Sequence, residues 1–291
     1  FALLCYNICT FKKEKIMRNL VINTDLRNSW QGISEDKFIE TAAEIGWNGV
    51  FSDWTDGKDM KRVRMLTQRN GLYLQSVHAP FTKIAEMWEE GEQGEAELCR
   101  QQNCLRACAE IGVPVVVEHA VIGFDKHTPN ELGVKRFETL ANEAERLGIK
   151  IAIENTEGEE YLERLLSCLN GHPAVGFCID TGHEMCYNES RDLISKYARK
   201  LLCTHLNDNM KITGDEITWL DDSHMMPFDG LADWKNIAKR LNAARFQGDL
   251  TFELTGQNRP ERHTHDIYAA LDMNAFLALA LEKAKQFRTM L

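Results

Sequence analysis

From residue 20 onward the chain repeats one pattern eight times: a short, continuously apolar run, then an amphipathic stretch closed by glycine or a polar turn. The apolar runs are residues 20–24, 49–53, 72–78, 113–119, 150–154, 175–180, 201–205 and 249–253. Runs this short with no polar alternation read as strands buried on both faces, which is the condition of a parallel sheet covered by helices. The intervening stretches predict helices over about 34–45, 58–70, 96–111, 130–147, 159–169, 191–199, 233–245 and 266–287. Ser34 supplies an N-cap, while Gly46, Gly71, Gly112 and Gly148 supply stops. Alternation that reaches eight units, with no glycine-rich phosphate loop after the first strand, favours one closed α/β barrel, a (β/α)8 domain, over an open doubly wound sheet. Residues 17–291 are read as that domain and residues 1–16 as an N-terminal extension.

In such a barrel, chemistry collects where the strands end at their carboxyl side. His78, His119, Glu154, Asp180, His205 and Glu253 stand at those ends, and His183, Asp222 and His224 follow in the connecting segments. One strand-end Asp or His ordinarily caps a helix or bonds loop backbone, and Asp180 alone would be read that way. Nine residues of metal-ligand type converging on one mouth are poorly explained by capping. Glu154, Asp180, His205 and Glu253 come from four successive strands and suit one divalent ion: manganese, zinc, cobalt or magnesium. His78, His119, His183, Asp222 and His224 add donors for further ions, up to three in all. His127, His172, His263 and His265 fall in loops or near helix starts and read as ordinary surface residues. Trp30, Trp54, Trp88 and Trp219 follow strands one, two, three and seven, where an aromatic face can stack on a sugar or close the barrel top. Arg27, Lys126, Lys211, Arg259 and Arg262 are candidate anion contacts or solvated loop charges.

Composition narrows the partners. The net charge of −10 and six acids without a base in residues 86–97 oppose a nucleic-acid partner. No apolar run is long enough to span a membrane. Nine dispersed Cys without a CxxC pair suit free thiols and a cytoplasmic setting. A homo-oligomer is compatible with all of this.

The set Ser76-Val-His78-Ala-Pro, Glu154-Asn-Thr, Asp180-Thr-Gly-His183, His205-Leu-Asn-Asp208, Asp222-Ser-His224 and Phe252-Glu253 resembles the xylose isomerase-like TIM-barrel superfamily. That superfamily includes ketose 3-epimerases, inositol-pathway isomerases and dehydratases, and the endonuclease-IV type of apurinic endonuclease. The epimerase branch implies one metal on Glu154, Asp180, His205 and Glu253. Glu154 and Glu253 would then pass a proton through an enediolate, and His183 would steady a substrate oxygen. The branch carries an Arg six residues after the strand-seven His, where Lys211 stands and supplies charge without the planar fork. Lys211, Trp54 and Trp88 complete the expected contacts to a small-molecule sugar. The nuclease branch implies instead that all nine residues bind three zinc ions and cleave abasic DNA. A barrel that binds sugar without turning it over is the third reading.

Overall fold

The computed structural model describes residues 17–125, 128–211 and 216–291; the expected extension 1–16, Lys126 and His127 lie outside the described residues. The elements alternate as β1 Leu20–Asn23, α1 Glu35–Ile45, β2 Gly49–Asp53, α2 Met60–Arg69, β3 Tyr73–His78, α3 Glu92–Glu110, β4 Val115–His119, α4 Glu131–Leu147 and β5 Lys150–Glu154. They continue as α5 Glu159–Cys168, β6 Val175–Asp180, α6 Thr181–Cys186, α7 Leu193–Lys196, β7 Leu201–His205, α8 Trp234–Ala243, β8 Leu250–Phe252 and α9 Met273–Thr289. Each strand from β1 to β7 lies parallel beside the next, and β8 pairs with β1. The ring closes between β7 and β8 through one bridge, Leu206 with Phe252. Its bonds are Leu206 N–H to the Thr251 carbonyl at 2.7 Å and Glu253 N–H to the Leu206 carbonyl at 3.3 Å. This is the expected (β/α)8 barrel.

Two apolar layers hold it. Inside the ring, Val117, Ala152, Cys178 and Cys203, from the neighbouring strands β4 to β7, pack into a small buried cluster. Between strands and helices lies the larger core, with Phe38, Phe137, Phe177, Phe252, Phe276 and Phe287 fully buried. Side chains close the helix starts: Ser34, Asp59, Asn130, Asp233 and Asp272 each accept a first-turn N–H. Gly46 and Gly148 end α1 and α4 at φ 105° and 72°, a left-handed backbone that suits glycine.

Three expectations shift. The helix expected over 96–111 begins earlier, since α3 starts at Glu92 and draws Glu92 and Glu95 of the acidic stretch into its first turn, where the helix dipole favours carboxylates. The helix expected over 191–199 is instead α7 followed by a 3-10 turn at Ala198–Lys200. The short α6 follows β6 directly and has no counterpart among the sequence-based helices.

Candidate metal centre

Strand geometry brings the donors together. Glu154 and Asp180 end β5 and β6, His205 ends β7, and Glu253 follows β8. One ligand atom from each of these four lies within 4.8 Å of the others. His205 Nδ1 stands 2.7 Å from Glu154 Oε1 and 3.1 Å from Glu253 Oε2. Glu154, Asp180 and His205 are fully buried, and Glu253 keeps 16% of its side chain exposed toward the cavity above.

Two flanking groups share members with this cluster. His78 Nε2 and His119 Nε2 approach Glu154 Oε2 at 3.3 and 3.2 Å. On the other side, Asp180, His183 and His224 form a third group, with ligand atoms within 4.8 Å of one another. Asp222 bridges it, 3.4 Å from His183 Nε2 and 2.9 Å from His224 Nε2.

The supporting shell aims these rings. His78 Nδ1–H donates to the Ala79 carbonyl at 2.7 Å, His183 Nδ1–H to Asn155 at 2.9 Å, and His224 Nδ1–H to Glu253 at 3.0 Å. Each bond occupies Nδ1 and turns Nε2 toward the carboxylates, the arrangement that prepares an imidazole to bind metal once Nε2 gives up its proton. Phe51 stacks on His205 at 4.7 Å and 13°. Asp180 Oδ1 caps α6 by accepting the His183 N–H at 2.6 Å, and its Oδ2 accepts from Asn207 at 2.7 Å. Asn155 grips the Asp180 backbone on both sides, at 2.8 and 2.9 Å.

Electrostatics couple the carboxylates to the imidazoles. Burial opposes ionisation of Glu154, yet His205, then His119 and His78, hold its carboxyl well below the usual range. Burial is likewise outweighed at Glu253, which His205 and His224 hold at about 2. Burial would lower His205, but Glu154 and Glu253 push it well above its ordinary value. Burial is again outweighed at His224, which Asp222 raises to about 9. Burial pushes Asp180 up to about 6 against the pull of His183. Four carboxylates packed this densely need cations, and in their absence the imidazoles must take up protons. The oxygen-rich four-residue donor set therefore fits a divalent ion.

Above the donors opens a cavity of about 650 Å³. His78, His119, His183, Asp222, His224 and Glu253 stand on its floor, and loop residues including Asp25, Phe81, Phe124, Tyr187, Trp219 and Arg259 form its walls. The structure brings all nine sequence-selected donors together. It separates the other expected contacts. Trp54 lines a side cavity of about 180 Å³ behind His78 and Glu253. Trp88 is 4% exposed and away from the cavity, packed on Phe137 and Tyr161, with its indole N–H on the Ala120 carbonyl at 2.8 Å. Lys211 lines a different cavity, of about 530 Å³, with Thr181, Glu184 and Arg240. Of the remaining loop cations, Arg27 bonds the Thr24 carbonyl and Arg262 approaches Asp221. His265 is not a surface residue. It is 2% exposed against the Tyr268 ring, and burial lowers it to about 4.

Sequence reasoning missed Asn155 and Asn207, although each sits one or two residues past a strand-end donor. It also missed Asp25, Phe81, Phe124 and Tyr187, which come from loops with no periodicity to announce them.

Fold and site together define a (β/α)8 protein whose mouth is floored by carboxylates and imidazoles. The chain belongs to the xylose isomerase-like TIM barrel family, whose model matches residues 39–272. The uncharacterized protein y4fM of Sinorhizobium fredii (strain NBRC 101917 / NGR234) is 26% identical over 263 residues, 78% of this chain and 80% of its own. Structural neighbours are sugar epimerases. The D-allulose 3-epimerase of Methylomonas sp. in complex with D-allulose matches with a TM-score of 0.71 at 16% identity, covering 94% of this chain and 98% of that one. The 3-keto-D-glucoside 4-epimerase YcjR of E. coli matches with 0.65 at 17% identity, covering 94% and 99%. A xylose isomerase-like TIM barrel/4-hydroxyphenylpyruvate dioxygenase fusion protein matches with 0.66 at 19% identity over 87% of this chain, which spans 41% of the fusion. At these identities the likeness is one of fold. Among the described residues no helix is long and apolar enough to cross a membrane. Seven Cys, from Cys99 to Cys203, are free thiols among those residues.

Proposed function

We propose that the protein is a divalent-metal-dependent isomerase or epimerase of a small sugar. The observation that carries this reading is the pair of carboxylates, Glu154 and Glu253, held at 2.7 and 3.1 Å on the same His205 nitrogen beneath an open cavity. An ion held by Glu154, Asp180, His205 and Glu253 supplies Lewis acidity at a substrate carbonyl and makes the adjacent carbon more acidic. Glu253, the more exposed carboxylate, takes a proton from that carbon, and Glu154 returns one from the opposite side, through an enediolate. His183 steadies a substrate oxygen with Nε2, its other nitrogen being tied to Asn155. The sugar-epimerase neighbours support the same reading.

Solvent-deuterium incorporation into a panel of ketoses tests the proton transfer. Glu253→Gln and Glu154→Gln should keep fold and cavity but lose exchange by about 10²- to 10⁴-fold, the usual contribution of a positioned acid or base. Full exchange by either variant on an identified substrate sinks the two-carboxylate mechanism.

A second reading rests on one observation: eight of the nine donors fall into three groups that share Glu154 and Asp180, and Asp222 joins one of them through His183 and His224. Three zinc ions there would make a phosphodiesterase acting on abasic DNA. The acidic cavity wall, with Asp25 and Glu157 beside the donors, works against a polyanion. Metal content per purified chain separates the two: about one ion supports the isomerase, and three zincs support the hydrolase.

A further inference from the structure

Among the described residues, the only large aromatic side chains left exposed are Phe81, Phe124 and Trp219, at 38%, 41% and 53%. All three line the cavity above the donors. Aromatic rings left in water at one polar-rimmed opening mark a place where something apolar-faced binds. A sugar ring offers such a face, and stacking on aromatics is the standard way to hold it.

The three rings divide into two stations. Phe81 is the inner one: it stacks on His119 at 4.6 Å and meets His78 edge-on at 5.3 Å, so it borders the donor floor. Phe124 and Trp219 lie on other loops. Phe124 packs edge-on against Tyr187 at 5.7 Å. Trp219 carries the Arg259 guanidinium at 5.8 Å from its ring, and that arginine is anchored by its Nε–H on the Asp222 carbonyl at 2.7 Å. Each outer ring therefore has one neighbour of its own on the cavity lining, and the two stay 41% and 53% exposed. A cavity of about 650 Å³ leaves much of its space to water around a single hexose. Its wall also sets the charge of what fills the remainder. Among the described residues Asp25, Glu157, Asp222 and Glu253 face it, and Arg259, the one Lys or Arg on the lining, is already paired with Asp222 at 3.3 Å.

We infer that the substrate is disaccharide-sized: one ring over the carboxylates beside Phe81, and a second, uncharged ring held by Phe124, Tyr187 and Trp219. This rests on the isomerase reading above. The reacting ring must present its carbonyl to the donors, so the second ring is joined through a different carbon.

The test compares free ketohexoses with the same ketoses carrying a glucosyl group, and with ring-ketone glycosides. Solvent-deuterium incorporation by metal-loaded enzyme gives kcat/KM, and calorimetric titration gives affinity. The two-ring substrates should win by about tenfold in kcat/KM, mostly through KM, and Trp219→Ala or Phe124→Ala should erase most of that preference. Equal or better turnover of free ketohexoses overturns the outer station and leaves the isomerase reading standing. No exchange with any sugar, but tighter binding of two-ring sugars that is lost in Trp219→Ala, retires the isomerase and keeps the outer station. No exchange and no preference in binding retires both.

Discussion

Asp180 carries an ordinary role and a chemical one at once. Its Oδ1 caps α6 through the His183 amide, while Oδ2 is held by Asn207, and the carboxylate still reaches Glu154, His205 and Glu253. Asn207→Ala should therefore leave the cap in place but loosen the donor, lowering metal affinity by about 10- to 100-fold, measurable against a competing chelator. Glu118, on the outer side of β4, has no such partners: it is 1% exposed and neither carboxylate oxygen finds a hydrogen bond. Burial, then Glu97 and Cys108, push its carboxyl well above the usual range. A raised carboxyl pKa favours the fold while the group is protonated, fully below the ordinary value near 4.5, and that contribution is lost as pH climbs toward the raised value. Glu118→Gln should accordingly stabilise the protein by about 1–3 kcal/mol at pH 8 and much less at pH 4, read from thermal melts. Seven of the nine donors were legible because each ends or closely follows an apolar run; Asp222 and His224 lie far along the connection after β7 and were legible only as an Asp-x-His pair. Glu118 was not, since it lies within such a run and its isolation depends on what α3 packs against it. Trp88 misled for a related reason. Loops after strands generally line the mouth, but this one folds back beneath α4.

Among the elements, α4 and the turn before α3 show how tightly that fold-back is set. A Cβ on Gly133 would collide with the Trp88 ring, and one on Gly94 with the Arg136 guanidinium. Gly133→Ala should cost about 1–3 kcal/mol, seen as a lower denaturation midpoint at unchanged m-value. Strand positions and the long helices were legible from apolar period and caps. The short α6 was not, because six residues give too little periodicity to register and its start is set by Asp180. The division of residues 191–199 into two short pieces was hidden for the same reason. The weakest joint is between β7 and β8, which share one bridge where β4 and β5 pair along five residues. Amides of Leu206 and Glu253 should exchange with solvent faster than those of β4 and β5, by native-state hydrogen exchange.

For the whole molecule, the donors act as a reservoir of like charge that a cation relieves. Chelation should lower thermal stability, since an ion at 100 times its Kd adds about 2.7 kcal/mol to the folded state. Protons compete for the same nitrogens. With His224 raised to about 9 in the metal-free fold, its proton must leave before a metal binds there, so binding by the His183–His224 group should tighten as pH rises toward that value. The barrel as a whole was legible because eight repeats leave few topologies. Its cavity was not, because the walls come from loops whose shape depends on each other. One consequence of the sparse seam is mechanical. His205 ends β7 and Glu253 follows β8, so any ion shared by these two side chains rivets the barrel across the joint with the fewest backbone bonds. Pulled apart at its ends in a force-extension experiment, the metal-loaded protein should yield β8 at a higher force than the chelated one.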